Sequence, residues 1–202
     1  MADAVSVTRS TYDEIATGFA RAQAEGYPEL ADDLNWLASR ISGDSRVADV
    51  GCGPGRDLGL LRAMGFRAVG LDLSAEMLRA GGRTGVAQAD MRTLPLRDGS
   101  LDGLWCQAAL LHIPHADVPG VLAEFARVVR PGGAVHLVVA EGDSEGWERH
   151  GYGGDGLRWF AYHRLESLSV LMAEAGLTVV EAAHRSHHRA WLGVRAVAAR
   201  SN

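Results

Sequence analysis

Apolar positions change their spacing along the chain, and this change predicts alternating helices and strands. Apolar residues recur at helical spacing over 8–19 and 28–40, which predicts two helices. From residue 46 onward, short apolar runs alternate with amphipathic segments. The runs predict strands at Arg46–Val50, Arg67–Leu71, Val86–Ala89, Leu101–Cys106, Ala134–Ala140, Leu177–Ala183 and Ala190–Ala199. Between them we expect helices over Asp57–Met64, Ala75–Ala80, Asp117–Arg130 and Leu165–Ala175.

This alternation favours an α/β fold with a doubly wound, Rossmann-like parallel sheet covered by helices on both faces, a three-layer α/β/α arrangement. The last two strands are joined only by the short polar segment His184–Arg189, so we expect them to pair antiparallel. The length of 202 residues suits a single domain.

Composition narrows the classes of function. The net charge of −5 argues against a broad nucleic-acid-binding face, which needs a clustered positive field. No run of about 18 apolar residues and no signal peptide is found, so we expect no membrane span and a cytoplasmic protein. Cys52 and Cys106 lie outside any metal-ligand spacing, so free thiols and no metal site are expected. Three histidines near the end, at 184, 187 and 188, are expected to be solvated turn residues.

The strongest local feature is a glycine loop that directly follows the first strand. Gly51, Gly53 and Gly55 are spaced as GxGxG, and glycine lets backbone turn sharply and approach a ligand closely. The dinucleotide fingerprint GxGxxG fails because Arg56 occupies its sixth position, and a P-loop is excluded because the chain has no lysine. The loop therefore predicts a ligand site at the carboxyl end of this strand, but not a nicotinamide or nucleoside triphosphate site.

Two acids follow at later strand ends. Asp72 ends the second strand, where a carboxylate can accept hydrogen bonds from both hydroxyls of a ribose. Leu73 and Met77 would then offer apolar contact to an adenine, and Asp90 could accept a bond from its exocyclic amine. Together, loop and acids indicate an adenosine-containing ligand.

With these motifs in register, the chain resembles the class I S-adenosylmethionine-dependent methyltransferases of the small bacterial type. The matching stretches are DVGCGPGRD (49–57), VGLDLS (69–74), QADMRTLP (88–95), GSLDGLWCQAALLHIP (99–114), LAEFARVVRPGGAVHL (122–137) and SLSVLMAEAGLTVVEA (167–182). The resemblance implies a seven-stranded sheet with an antiparallel last strand and N-terminal helices covering the site. It also implies S-adenosyl-L-methionine as cofactor and S-adenosyl-L-homocysteine as product.

Carried over to this sequence, the resemblance implies particular roles. The loop, Gly51 to Gly55 with Cys52 as a small packing residue, would border the methionine part of the cofactor. Asp90 and the backbone at Met91 would recognise the adenine, and Gln107 would lie near the methionine amino group. The chain then divides into a helical cap (1–45), a cofactor-binding core (46–140), a substrate lid (141–163) and a C-terminal helix with hairpin (164–202).

Candidates for acceptor binding flank this core. His112 follows the fourth strand and is our candidate for a general base or an acceptor-orienting group, because its unperturbed pKa is close to neutrality. The segment 141–163 is rich in glycine and aromatic residues and is longer than a simple connection requires, so we interpret it as a substrate lid. Candidate substrate contacts are Tyr12 and Phe19 in the first helix and Trp147 and Tyr162 in the lid, whose other aromatic residues include Tyr152.

The interpretation favoured by these features is O-, N- or C-methylation of a small molecule by in-line transfer, in a monomer or homodimer. RNA or protein methylation is an alternative, which the acidic charge balance disfavours. A non-catalytic cofactor-binding module is another, disfavoured because the glycine loop and both acids are intact.

Overall fold

The structure, a computed structural model, describes residues 3–23, 26–149 and 155–199. Its strands, in chain order, are β1 (Arg46–Val50), β2 (Arg67–Asp72), β3 (Val86–Gln88), β4 (Leu101–Gln107), β5 (Val129–Ala140), β6 (Glu145–Arg149), β7 (Leu157–Ala161), β8 (Leu177–Ser186) and β9 (Ala190–Ala198). Seven of them form one sheet in the order β3-β2-β1-β4-β5-β9-β8, and β6 and β7 form a separate hairpin.

The last strand reverses direction, as the sequence predicts. The first five strands of the main sheet pair in parallel, whereas β9 runs antiparallel to both β5 and β8. Since β8 and β9 are joined by a three-residue turn, only an antiparallel pairing is possible for them. Successive strands are added on one side of β1 up to β3 and on its other side from β4 onward. This switch leaves a crevice at the carboxyl ends of β1 and β4, the position where open α/β sheets bind ligands.

Helices cover both faces of the sheet. Within the described ranges the α-helices are α1 (Ala4–Ala22), α2 (Leu30–Arg40), α3 (Arg56–Ala63), α4 (Ala75–Gly81), α5 (Val118–Val128) and α6 (Leu165–Glu174). The core on one face is built from α5 and α6, and that on the other from α2 and α3. Ser74 caps α4, its hydroxyl accepting a hydrogen bond of 3.1 Å from the amide of Met77.

A buried ion cluster joins α2 to the C-terminal hairpin. The carboxylate of Asp33 is fully buried and accepts two hydrogen bonds from Arg185, at 2.6 and 2.8 Å, and one from Arg195 at 2.9 Å. The imidazole of His136 on β5 lies 3.5 Å from the same carboxylate and stacks on Trp105. Although burial opposes it, the hydrogen bonds from Arg185 lower the pKa of Asp33. The cluster therefore fixes α2 against the sheet through charge as well as apolar packing.

The structure differs from the predicted elements at several boundaries. The helix expected over Asp117–Arg130 ends at Val128, because Val129 already pairs with Leu101 and begins β5. The first helix extends beyond 8–19 at both ends, and Asp3 caps it by accepting a hydrogen bond from the amide of Ser6.

The segment 141–163, interpreted as a lid, contains the β6–β7 hairpin, which the sequence analysis did not predict. Strand β7 packs along α1, where the hydroxyl of Thr11 donates to the carbonyl of Leu157 at 2.7 Å and the hydroxyl of Thr8 accepts from the amide of Trp159 at 2.9 Å. Tyr152 lies outside the described residues. Among the helices described, none is both long and apolar enough to cross a membrane.

Candidate active site

The glycine loop after β1 has a backbone that only glycine adopts without strain. Gly51, Gly53 and Gly55 have φ values of +73°, +52° and +79°. A Cβ on Gly51 would lie 2.2 Å from the Cβ of Ala109, so the two backbones approach too closely for any side chain. The loop therefore exposes bare peptide groups to the crevice. Gly55 does not line the crevice; it lies at the N-terminus of α3, with Arg83 packed against it.

Asp72 is held in one orientation at the end of β2. One carboxylate oxygen accepts the amide of Gly53 at 2.7 Å and the other accepts the amide of Ser74 at 2.8 Å. Burial raises its pKa, and the two amides partly offset this effect. A carboxylate oxygen has two lone-pair directions, so each oxygen retains one for a ligand. This is the arrangement that a pair of ribose hydroxyls requires.

The predicted adenine residues gather beside Asp72. Leu73, Met77, Asp90 and Met91 all line the crevice. The carboxylate of Asp90 accepts a two-pronged pair from Arg92, at 3.0 and 2.7 Å. Although burial opposes it, this pairing lowers the pKa of Asp90, so the group is an ionised acceptor at neutral pH.

A further acid, Asp49, reaches the same crevice although the sequence analysis gave it no role. It lies on β1 two residues before Gly51, is only 2% exposed, and its Oδ2 has no hydrogen-bond partner among the described residues. Burial, then the neighbouring Asp57 and Asp72, raise its pKa. A buried carboxylate oxygen without a donor is costly, so this atom favours a cationic or donor group of a ligand. Nearby, the side-chain oxygen of Gln107 accepts a 3.0 Å bond from the hydroxyl of Tyr27.

One cavity of about 610 Å³ runs from this crevice to the tips of β7 and β9. Its volume falls within the range usual for small-molecule sites. The sequence-predicted residues that line it are Tyr12, Phe19, Gly51, Cys52, Gly53, Asp72, Leu73, Met77, Asp90, Met91, Gln107 and His112. We call the end near the glycine loop the inner end and the part near β7 and β9 the outer end.

His112 connects α1 to the hairpin within this cavity. Its Nδ1 donates to the carbonyl of Trp159 at 2.7 Å, which leaves Nε2 to accept the hydroxyl of Tyr12, also at 2.7 Å. Burial, with the charges of Arg158 and Arg189, lowers its pKa to about 3. The imidazole is therefore neutral at pH 7, with both nitrogens engaged.

The outer end is formed by residues that the sequence analysis did not select. Arg158 and Phe160 alternate along β7 and face the cavity, while Arg189 and Trp191 enter from the start of β9. His187 and His188, expected to be solvated, also line this end. A strand pattern in 157–161 could have revealed Phe160, but a buried arginine on the same face has no sequence signal.

Trp147 and Tyr162 are placed elsewhere than predicted. Trp147 pairs with Trp159 across the hairpin, on the face opposite to Arg158 and Phe160, and is 41% exposed. The hydroxyl of Tyr162 donates to Glu148 and accepts from Arg189. Neither side chain lines the cavity. Trp147 is turned away because its partner Trp159 alternates with Arg158 and Phe160 along β7, and Tyr162 lies beyond the end of that strand.

The comparison with known proteins gives the family. Residues 48–137 match the family model described as a methyltransferase domain. Over these residues the chain is similar to a methyltransferase domain. The methyltransferase domain thus spans β1 to β5, with the glycine loop, Asp72, Asp90 and Gln107 inside it.

Relatives and solved structures agree on the domain. An uncharacterized 37.1 kDa protein in a Streptomyces fradiae transposon is 42% identical over 144 residues, which cover 66% of this chain and 39% of that protein. A malonyl-[acyl-carrier protein] O-methyltransferase of Hamiltonella defensa is 36% identical over 131 residues, which cover 60% of this chain and 50% of that enzyme. This chain therefore spans half or less of the length of these relatives.

The fold of the chain matches solved structures of methyltransferases over nearly its whole length. Magnesium protoporphyrin IX methyltransferase from Synechocystis, solved with bound S-adenosylmethionine, has a TM-score of 0.77 at 16% identity and covers 100% of this chain and 99% of its own. A Burkholderia thailandensis 1,6-didemethyltoxoflavin-N1-methyltransferase, solved with its substrate and S-adenosylhomocysteine, has a TM-score of 0.73 at 20% identity, covering 98% and 92%. Within the described ranges, no cluster of His, Cys, Asp or Glu is arranged to hold a metal ion.

Proposed function

We propose that this protein transfers the methyl group of S-adenosyl-L-methionine to a small molecule bound at the outer end of the cavity. The observation that carries the proposal is one continuous cavity whose inner end has the chemistry of that cofactor and whose outer end leaves room for an acceptor. The family match over β1 to β5 supports the same assignment.

The inner end fits each part of the cofactor by its own residues. Gly51 and Gly53 line this end without side chains, and the fixed oxygens of Asp72 suit two ribose hydroxyls. The unpartnered Oδ2 of Asp49 suits the ammonium of the methionine part. Burial raises the pKa of Asp49, and the neighbouring Asp57 and Asp72 raise it further, so a ligand that brings positive charge suits this end.

S-adenosylmethionine supplies an activated methyl group, and the work of the chain is to position the acceptor and exclude water. Helix α1 covers the cavity and is held across it by bonds to β7, and by the carboxylate of Asp13, which accepts the hydroxyl of Ser74 at 2.6 Å. Alignment of donor and acceptor can lower the barrier by about 7–11 kcal/mol, and a closed site keeps water from the reacting groups.

His112 has a positioning role in this proposal rather than that of a base. A neutral imidazole with a pKa of about 3 removes protons poorly at pH 7. Its Nε2 instead fixes the hydroxyl of Tyr12, which also accepts from Arg158 at 2.8 Å. Tyr12 is thereby oriented within the cavity, where it would contact the acceptor.

Calorimetry with S-adenosylhomocysteine, followed by mass spectrometry of a metabolite panel incubated with S-adenosylmethionine, tests the proposal. We expect binding with one site per chain, and for the true acceptor a gain of one methyl group matched by release of S-adenosylhomocysteine. Absence of cofactor binding would refute the assignment. Tight cofactor binding without turnover of any small molecule would instead favour a protein acceptor or a non-catalytic module.

A further inference from the structure

We propose that the outer end of the cavity recognises the carboxylate of a small aromatic acceptor, with Arg189 and Arg158 as the anion-binding pair. The inference rests on the proposed function, because the outer end is the acceptor site only if the cofactor occupies the inner end. It names a substrate class that neither the family nor the relatives specify for this chain.

Arg189 carries the strongest indication. Its two terminal nitrogens donate to the hydroxyl of Tyr162 at 2.9 Å and to the carboxylate of Glu148 at 3.1 Å. Its third donor, the Nε–H, is buried and has no acceptor among the described residues. A buried charged donor without an acceptor is expensive, so an oxyanion of a ligand at this position would remove the penalty.

Arg158 approaches the same place from β7. It is 7% exposed, and its guanidinium carbon lies 5.3 Å from the ring centre of Tyr12 and 5.2 Å from that of Phe160. The guanidinium carbon of Arg189 lies 4.4 Å from the ring centre of Phe160. The guanidinium groups of Arg158 and Arg189 therefore both lie close to the ring of Phe160. The planar, forked guanidinium of arginine matches the geometry of a carboxylate.

The carboxylates along the cavity are concentrated at its inner end. They are those at 49, 57, 72 and 90, of which Asp57 is paired with Arg56 at 2.6 Å, while Glu29 is engaged with His187 at 3.1 Å. Both Arg158 and Arg189 lower the pKa of His112, so their positive field extends into the acceptor space. A sulfonium next to this field adds a further positive charge. An anionic acceptor would offset it, whereas a neutral acceptor would leave these charges close together in a poorly solvated site.

The walls of the outer end favour a flat ligand. Phe160 and Trp191 line it, and aromatic side chains stack on planar rings. A single carboxylate is favoured over a doubly charged phosphate because Glu148, bonded to Arg189, would repel the second negative charge. A planar ring that bears one carboxylate satisfies both features.

Ligand-observed NMR on protein saturated with S-adenosylhomocysteine tests the inference with 2-naphthoate and its uncharged analogue 2-naphthamide. We expect 2-naphthoate to bind roughly tenfold or more tightly than the amide, the gain typical of one charge-assisted hydrogen bond. In Arg189→Gln the ratio should fall severalfold, because only Arg158 of the pair remains, and Arg189→Lys should retain more of the preference. Arg149→Gln, on the exposed end of β6 and outside the cavity, is the matched control and should behave as the wild type.

Calorimetry with S-adenosylhomocysteine and the melting temperature are measured for every variant. Unchanged cofactor affinity in folded Arg189→Gln, together with the reduced carboxylate preference, supports the inference. Equal binding of acid and amide to the wild type, failure of 2-naphthoate to bind, or an unchanged preference in Arg189→Gln overturns it. Loss of cofactor binding in the wild type would instead refute the proposed function.

Discussion

Replacing Asp72 by alanine tests how the inner end holds a cofactor. The carboxylate is fixed by the amides of Gly53 and Ser74 before any ligand arrives, so its two remaining lone pairs are preorganised for a ribose. Asp72→Ala removes both acceptors at once and leaves the two amides facing the cavity. The backbone of the loop is otherwise independent of the side chain, so we expect the fold to survive.

The size of the effect follows from these contacts. A hydrogen bond to a charged group contributes about 1.5–3 kcal/mol, and two would be lost. The raised pKa of Asp72 reflects the cost of keeping it ionised while buried, and alanine relieves that cost. We therefore expect a net loss of about 1–3 kcal/mol, or roughly 5- to 150-fold in affinity for S-adenosylhomocysteine.

Isothermal titration calorimetry measures this loss directly. Asp98→Asn, at a carboxylate that is 82% exposed and remote from the cavity, controls for the change of net charge. Asp72→Asn should be intermediate, because its amide retains one acceptor oxygen but turns an NH₂ group toward a backbone donor. An affinity within twofold of the wild type in a folded Asp72→Ala protein would refute the ribose assignment.

Three further predictions concern stability and pH. In urea titrations, Gly51→Ala should lower the free energy of unfolding by at least about 1–3 kcal/mol because of the positive φ at this position. The 2.2 Å approach of the added Cβ to Ala109 would add to this loss. The control is Gly43→Ala, where an added Cβ meets nothing within 4 Å and stability should change little. Asp33→Ala should cost about 3–5 kcal/mol, because two arginines lose their buried carboxylate; a loss below 1 kcal/mol would contradict the ion-cluster argument. Burial lowers the pKa of His136 from 6.5 to about 3, so the unfolded chain protonates first as pH falls. This residue should lower the free energy of unfolding by about 1.4 kcal/mol per pH unit between roughly pH 6 and 3, and an unchanged pH slope in His136→Gln would count against it.

The sequence predicted the sheet and the inner end of the site because both follow local rules. Apolar runs and glycine spacing depend on residues near one another in the chain, and the antiparallel β9 follows from its short connection to β8 and from the family resemblance. Asp72 and Asp90 were found because Asp72 ends β2 and Asp90 follows β3 at the same sheet edge. Asp49 was overlooked because the missing partner of its Oδ2 is visible only in three dimensions.

The outer end could not be predicted in the same way, because it is assembled from distant segments. Arg158 reads as a solvent-facing residue in the sequence, and only the packing of β7 on α1 buries it. Trp147 was selected for its aromatic side chain, yet the register of β6 on β7 turns it to the other face. The lid interpretation of 141–163 stays a prediction, now attached to a hairpin that contributes Arg158 and Phe160 to the cavity.

The contacts of α1 also bear on the order in which the chain folds during synthesis. Thr11 bonds a residue 146 positions later and Thr8 one 151 positions later, so the helix finds these partners only when β7 has left the ribosome. Its buried residues Ile15 and Ala16 cluster with Met77 of α4, so that contact can form before the two threonine bonds. Such long-range contacts form late because loop closure must precede them. The core around β1 to β5 can therefore assemble before α1, which closes the cavity, has formed its hydrogen bonds to β7.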